Sequence, residues 1–309
     1  MLPAATATSH RTAFLVLIAG ALTIALSPIF VRLSEIGPTM TAFWRVFLAA
    51  IPLWLLAVAE GRRNRAGRPV LPRSRRDVIL VALTGFFFAG DLVFWHWAIQ
   101  FTSVANSTLF ANFQPIFVSL GAWVLFGERM TRGFYLGGAL ALVGAVILLG
   151  DSLSIGGDTL FGDALAIITA VFYGAYILAI TRLRNRFSTF ATMAWTSLIT
   201  AAFILPVALA AGESLFPGSL NGWLVLLGLA LISQAGGQSL ITFSLAHLPA
   251  AFSSVSLLVQ PVAAAVFAWV LLTEPLGPLQ ILGGIVVLCG IALARRASQV
   301  PPPAVPAPQ

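Results

Sequence analysis

Arg45 and Asp91 are ionisable side chains set inside long apolar runs. A charge at the centre of a bilayer costs on the order of 2.5–3.5 kcal/mol by insertion scales, so such a group needs a partner, water or a task. Counted along helices that rise about 1.5 Å per residue, Arg45 sits about 10 Å and Asp91 about 15 Å from the same end of their runs. The two can therefore meet. They read either as an ion pair stapling two helices, since Arg favours carboxylate partners, or as groups that meet a zwitterion or relay a proton.

Further polar side chains share these runs. His96 stands between Trp95 and Trp97, with Gln100 one turn later. It is either a proton-coupled group, because imidazole titrates near neutrality, or a packed neutral ring bonded to a carbonyl. Tyr173 and Tyr176 lie three apart on one helix face. They are in mid-run, where a hydroxyl requires a partner or a cavity. Asn112 with Gln114-Pro115, and Gln260-Pro261 in a later run, combine amides with prolines. Each proline frees a backbone carbonyl inside a span. The glutamines therefore either repair that loss, or Pro115 and Pro261 are hinges of a central cavity that Gln114 and Gln260 line. Gln234, Gln238 and Thr242 recur at four-residue spacing and form one stripe. The stripe either faces a cavity or bonds between helices, at about 0.6 kcal/mol per bond. These amides, the tyrosines and His96 are the candidate binding residues for a small molecule.

Catalytic and cofactor chemistry find no constellation here. The three histidines fall in no His-Glu-x-x-His pattern, there is no Gly-x-Ser-x-Gly, and no nucleotide-binding glycine loop is present. All 17 basic residues are arginine, which excludes lysine-based covalent chemistry. The single Cys289 allows no intramolecular disulfide and no cysteine zinc site, and reads as an inert buried thiol. No catalytic residue, metal or cofactor is expected.

The elements that must hold these residues are membrane helices. Of 309 residues, 59% are hydrophobic and 9% charged, against roughly 25% charged in a soluble domain; the mean hydropathy is +0.97. The net charge of +7 does not point to nucleic acid, because the arginines cluster between the apolar runs. A spanning helix needs about 20 mostly apolar residues, and ten runs qualify: 12–33, 39–59, 78–101, 104–126, 132–150, 160–181, 188–211, 221–246, 250–273 and 278–294. The first is too long, and followed by too many others, for a cleaved signal peptide. Residues 1–11 form a short N-terminus, 151–159 a link, and 297–309 a proline-rich tail expected to be disordered. If the N-terminus is cytoplasmic, fifteen of the seventeen arginines fall in cytoplasmic segments and only Arg32 outside. The positive-inside rule then places both termini in the cytoplasm of a cell inner (plasma) membrane.

The chain also repeats. Shifted by 146 residues, Gln114-Pro115 falls on Gln260-Pro261, Ala122-Trp123-Val124-Leu125 on Ala268-Trp269-Val270-Leu271, Glu128 on Glu274, Leu136-Gly137-Gly138 on Leu282-Gly283-Gly284 and Gly144 on Gly290. The repeat unit, 12–150 and then 160–296, carries five spans. An odd number makes equivalent helices cross in opposite directions, the plan of secondary transporters with a midplane site between halves. The glycine pairs offer small faces for close helix packing, and Gly133-x-x-x-Gly137 a weak dimer signal, so a monomer or weak homodimer is expected. Glu128 and Glu274 are expected to serve the N-termini of the helices that begin at 132 and 278.

With its Gln-Pro in the fourth and ninth spans, each followed by Glu and then a Gly-Gly helix, the chain resembles the drug/metabolite transporter superfamily. The early SPIFVRLSEIGPTMTAFWRVFLAA (27–50) shares that look. The resemblance is to EamA-type ten-helix permeases, including amino-acid exporters of the YddG kind. It implies an all-α integral membrane protein in which ten transmembrane helices form two inverted five-helix repeats around a central cavity, and an aromatic cavity residue at Tyr173. The expected activity is alternating-access export of amino acids, aromatic or apolar ones among them, or similar small metabolites, with a proton or no coupling ion. A lipid flippase on the same scaffold is the alternative, and an intramembrane enzyme a remote one.

Overall fold

The computed structural model describes residues 10–63, 69–102, 104–150, 159–273 and 275–298. Residues 1–9, link residues 151–158, Glu274 and tail residues 299–309 lie outside the described residues. The described residues contain no strand. Ten helices are long and apolar enough to cross a membrane: α1 (His10–Arg32), α2 (Pro38–Arg63), α3 (Arg75–Ala98), α4 (Asn106–Phe126), α5 (Arg132–Leu149), α6 (Leu160–Arg184), α7 (Thr189–Ala210), α8 (Leu220–Ser244), α9 (Ala250–Leu271) and α10 (Pro278–Ser298). The last continues through Ala297 and Ser298, which the sequence reading had placed in the tail.

Local chemistry sets several helix starts. Ser74, Thr131, Ser188 and Ser219 each accept a backbone N–H from the first turn of α3, α5, α7 and α8, which satisfies a donor that has no intrahelical partner. Other starts are capped by carboxylates distant in sequence. Glu128 accepts from the N–H groups of Ala250 (3.1 Å) and Ala251 (3.3 Å) at the start of α9. It does not serve α5, where Thr131 already fills the cap. Glu213 accepts from Thr39 and Met40 at the start of α2. Glu35, between α1 and α2, accepts from Gly218 N, Ser219 N and the Ser219 hydroxyl ahead of α8. The hydrogen bonds from the Ser219 side chain and these backbone groups hold the Glu35 carboxyl below its ordinary value. An anion at a helix N-terminus is favoured by the macrodipole, and each of these three joins one half of the chain to the other.

Large apolar side chains point outward, as a protein whose solvent is lipid requires: Leu55 is 69% exposed, Leu136 66% and Leu220 76%. Cys289 is exposed on α10 as well, a correction to its expected burial. Small residues do the packing within. α5 packs on α10, α2 on α7, α3 on α6 and α1 on α8. Exchanging each helix for the one five places along turns α3–α6 into α8–α1 and leaves the other two pairs unchanged. At the α5–α10 seam a Cβ on Gly137 would lie 2.7 Å from Gly290 O, and one on Gly144 would lie 2.9 Å from Gly283 O. Ascending numbers on α5 meet descending numbers on α10, so the two helices run antiparallel with backbones in contact.

Four spans depart from regular α-helix. α1 breaks between Ile24 and Ser27, α4 between Ala111 and Gln114, and α9 between Ser256 and Val259, each with a proline in the turn that follows. The α4 and α9 breaks match to within one residue under the 146-residue shift. In α8, Leu229–Gln238 is a π-helix.

Candidate functional site

All four irregular segments meet one cavity. Its volume is about 190 Å³, and Ala25, Asn112, Leu257 and the two ends of the π-helix, Leu229 and Gln238, are in its wall. Irregular backbone at membrane depth survives where it lines a cavity or is buried in protein. Pro28 and Pro261 supply two of the bends from within the wall. Pro115 is buried beside its break in α4 and does not reach the cavity. The wall takes the last turns of α1 and α3, the first turns of α2 and α4, and the middles of α6, α8 and α9. The cavity therefore lies toward the end of the bundle that carries the α1–α2 and α7–α8 links.

The layer beneath the cavity is filled, and a second pocket, lined by His10, Phe14, Leu248, Phe252 and Arg295, opens beyond it at the opposite end. Tyr176 is fully buried, stacks on Phe88 at 4.5 Å, and accepts a hydrogen bond from Gln238 Nε2 at 3.0 Å. Below it, Arg184 is buried and donates to the carbonyls of Thr242 and Phe187, and the Thr242 hydroxyl contacts Met193 Sδ at 3.0 Å. Tyr176 is thus a packing residue next to the cavity. Tyr173, stacked beside it with centroids 6.0 Å apart, is in the wall.

Arg45 and Asp91 both face the cavity. Among the described residues no ion pair within 4.0 Å joins them, though they are close enough to interact electrostatically. Arg45 Nε instead donates to Gln234 Oε1 at 3.0 Å, so the staple runs from α2 to α8 and the expected α2–α3 pair is not formed. Gln234 reaches the site only through this bond. Of the stripe Gln234, Gln238 and Thr242, all buried, Gln238 alone is in the wall. The π-turn and interhelical bonds hold the other two.

His96, Asn112, Gln114 and Gln260 are in the wall as well. The His96 Nδ1 lies 2.6 Å from Leu92 O. A carbonyl only accepts, so Nδ1 carries the proton, and the neutral ring presents Nε2 as an acceptor. That atom is buried with no partner. Asn112 Nδ2 donates to Thr108 O at 2.8 Å within its own helix. Gln114 Nε2 donates across to Ser254 O of α9 at 3.2 Å, while its Oε1 is buried and unbonded. Gln260 lies beside the Tyr173 hydroxyl, with Nε2 buried and unbonded. Gln100 is exposed and away from this group. It shares the helix face of His96 but lies one turn further along, in the last turn of the helix.

Sequence reasoning missed Ser27-Pro28, Thr41, Trp95 and Thr169, all in the wall. Pro28 inside the first run was a signal of the same kind as Pro115 and Pro261. Nothing in the local pattern separates Thr169 from a threonine that bonds its own helix, which it also does, donating to Leu165 O at 3.1 Å. Among the described residues no cluster of metal-binding side chains occurs.

Comparison with known proteins adds the following. The model of the EamA-like transporter family matches residues 11–150 and again residues 160–296. The pseudopaline exporter CntI of Pseudomonas aeruginosa is 26% identical over 72% of this chain and 77% of its own length. A probable terminal-alkyne amino-acid exporter of Streptantibioticus cattleyicolor is 28% identical over 86% of each chain. A solved crystal structure superposes with a TM-score of 0.78 at 20% identity, covering 94% of this chain and 100% of that one, which shows the shared fold.

Proposed function

The chain belongs to the EamA-like transporter family, and from that premise we propose that this multi-pass membrane transporter exports amino acids or close derivatives from the cytoplasm by alternating access. The observation that carries the reading is the cavity between the two matching halves, with ionisable groups and unbonded buried amide and imidazole atoms in an apolar wall. Ligand sites have this character: mostly apolar, with a few polar groups that fix orientation. Two relatives are named as exporters, one of pseudopaline and the other, a probable one, of a terminal-alkyne amino acid. At about 190 Å³ the cavity is smaller than the roughly 300–1,000 Å³ of drug-sized clefts, which favours a small metabolite over a lipid.

The halves work as inverted partners. In support, the sequence-matched helices α5 and α10 run antiparallel, and the helix pairing is unchanged when the halves are exchanged. With the arginine-rich segments in the cytoplasm, the filled layer of Tyr176, Arg184 and Thr242 lies on the inner side of the cavity. This is the state reached after substrate has been carried across. Liposomes holding the pure protein provide the test. Radiolabelled phenylalanine and leucine are expected to exchange across the membrane with protein and not without it, and a pH gradient reports whether a proton is coupled. No exchange of any amino acid by correctly inserted protein removes the reading.

A further inference from the structure

We propose that the cavity sorts the two charges of a zwitterion, binding a free carboxylate at Arg45 and a free ammonium at Asp91, so that only molecules carrying both groups are transported well. This deepens the transport reading above and rests on it.

Donors and acceptors without a partner both occur in the wall. Asp91 and the unbonded His96 Nε2 on α3, and the unbonded Gln114 Oε1 on α4, are acceptors. Arg45 on α2 and the unbonded Gln260 Nε2 on α9 are donors. The guanidinium is held by Gln234 from α8, which keeps it out of contact with Asp91, and the Asp91 carboxylate accepts no hydrogen bond from a described residue. A guanidinium and a carboxyl group thus share a low-dielectric space with no bond between them. Each is costly to keep there in its charged form without a partner. A zwitterion placed between them pairs both charges at once and with opposite polarity. A molecule with one charge pairs one group and leaves the other stranded. Phe88, Leu92, Trp95 and Leu257 supply the apolar remainder of the wall for the substrate side chain.

Competition against labelled phenylalanine in proteoliposomes tests this on the wild-type protein. Phenylpropionate lacks the ammonium and phenylalaninamide lacks the carboxylate. Each is expected to compete about ten- to hundredfold more weakly than unlabelled phenylalanine, the range that one lost charge-assisted hydrogen bond gives. In Asp91→Asn the advantage of phenylalanine over phenylpropionate is expected to shrink toward unity while its advantage over phenylalaninamide persists; Arg45→Gln reverses that pattern. Asp91→Glu and Arg45→Lys, which keep the charges, are expected to keep the wild-type ranking. Analogues that compete as well as phenylalanine in the wild type overturn the proposal. So does an Asp91→Asn variant that loses only its pH dependence while ranking the analogues as wild type does, since that marks a proton site alone. Wild type that moves leucine and phenylalanine but ignores these substitutions sinks the charge sorting and leaves amino-acid export standing. Wild type that moves neither fails at the earlier step.

Discussion

The Tyr176 hydroxyl and Gln238 form a bond in the buried layer beneath the cavity. Tyr176→Phe leaves the Gln238 amide without that acceptor, and a stranded buried donor costs about 1–3 kcal/mol. A lower unfolding temperature in detergent is expected, with little change in the affinity for substrate, because Tyr176 is outside the wall. Tyr173→Phe is expected to do the opposite, altering transport more than stability. Comparison of thermal melts with transport affinities checks both. This distinction was not available from spacing alone. Tyr173 and Tyr176 share a helix face at three-residue separation, and which of them is in the wall and which under it depends on where α8 stands. Arg45 and Asp91 were legible as a pair that must be accounted for, because charge in an apolar run is costly. Their separation was not, because it depends on Gln234, which comes from 189 residues away.

Helix boundaries and breaks were legible where proline marked them, as in α4 and α9. The π-helix in α8 was hidden, since Leu229–Gln238 contains no proline and its glycines fit an ordinary packing face. Carboxylate caps were misassigned for a related reason: Glu128 is four residues from the start of α5 but, in space, faces α9. At this scale two expectations follow. Gly290→Leu at the α5–α10 seam pushes a side chain against Gly137 O and Ala141 N, both backbone atoms that cannot move aside. It is expected to destabilise by about 1–3 kcal/mol or more, as overpacking does, whereas Gly150→Ala meets nothing within 4 Å and is expected to be silent in the same melt. The Glu35 cap is the pH-sensitive one. Its carboxyl is held below the ordinary glutamate value, about 4.3, so the contribution is complete above that pH and is lost as the pH falls through the lower folded value. Glu35→Gln is expected to abolish that acid-side loss in a stability profile and to lower the stability at neutral pH by the amount the wild type loses in acid.

The whole molecule makes its own prediction about sidedness. In a Cys289→Ser background, Thr108→Cys in the cavity wall is expected to react with a membrane-impermeant thiol reagent added from outside and to be protected by substrate. Thr242→Cys, in the filled layer, is expected to stay unreactive. Labelling of the pair in the reverse order would invert the assigned orientation. Membrane character, span count and the doubled plan were readable from composition and from the 146-residue shift, since each is a property of many residues at once. Which residues converge was not, because convergence is set by contacts between the halves. One of those contacts has a wider consequence. Gly137 against Gly290 and Gly144 against Gly283 are a single docking geometry met twice, once from each end of the seam. A seam of that kind makes no use of the covalent link between its members. Two separate copies of one half-length polypeptide, inserted in opposite orientations beside each other, would present these same glycine faces to one another.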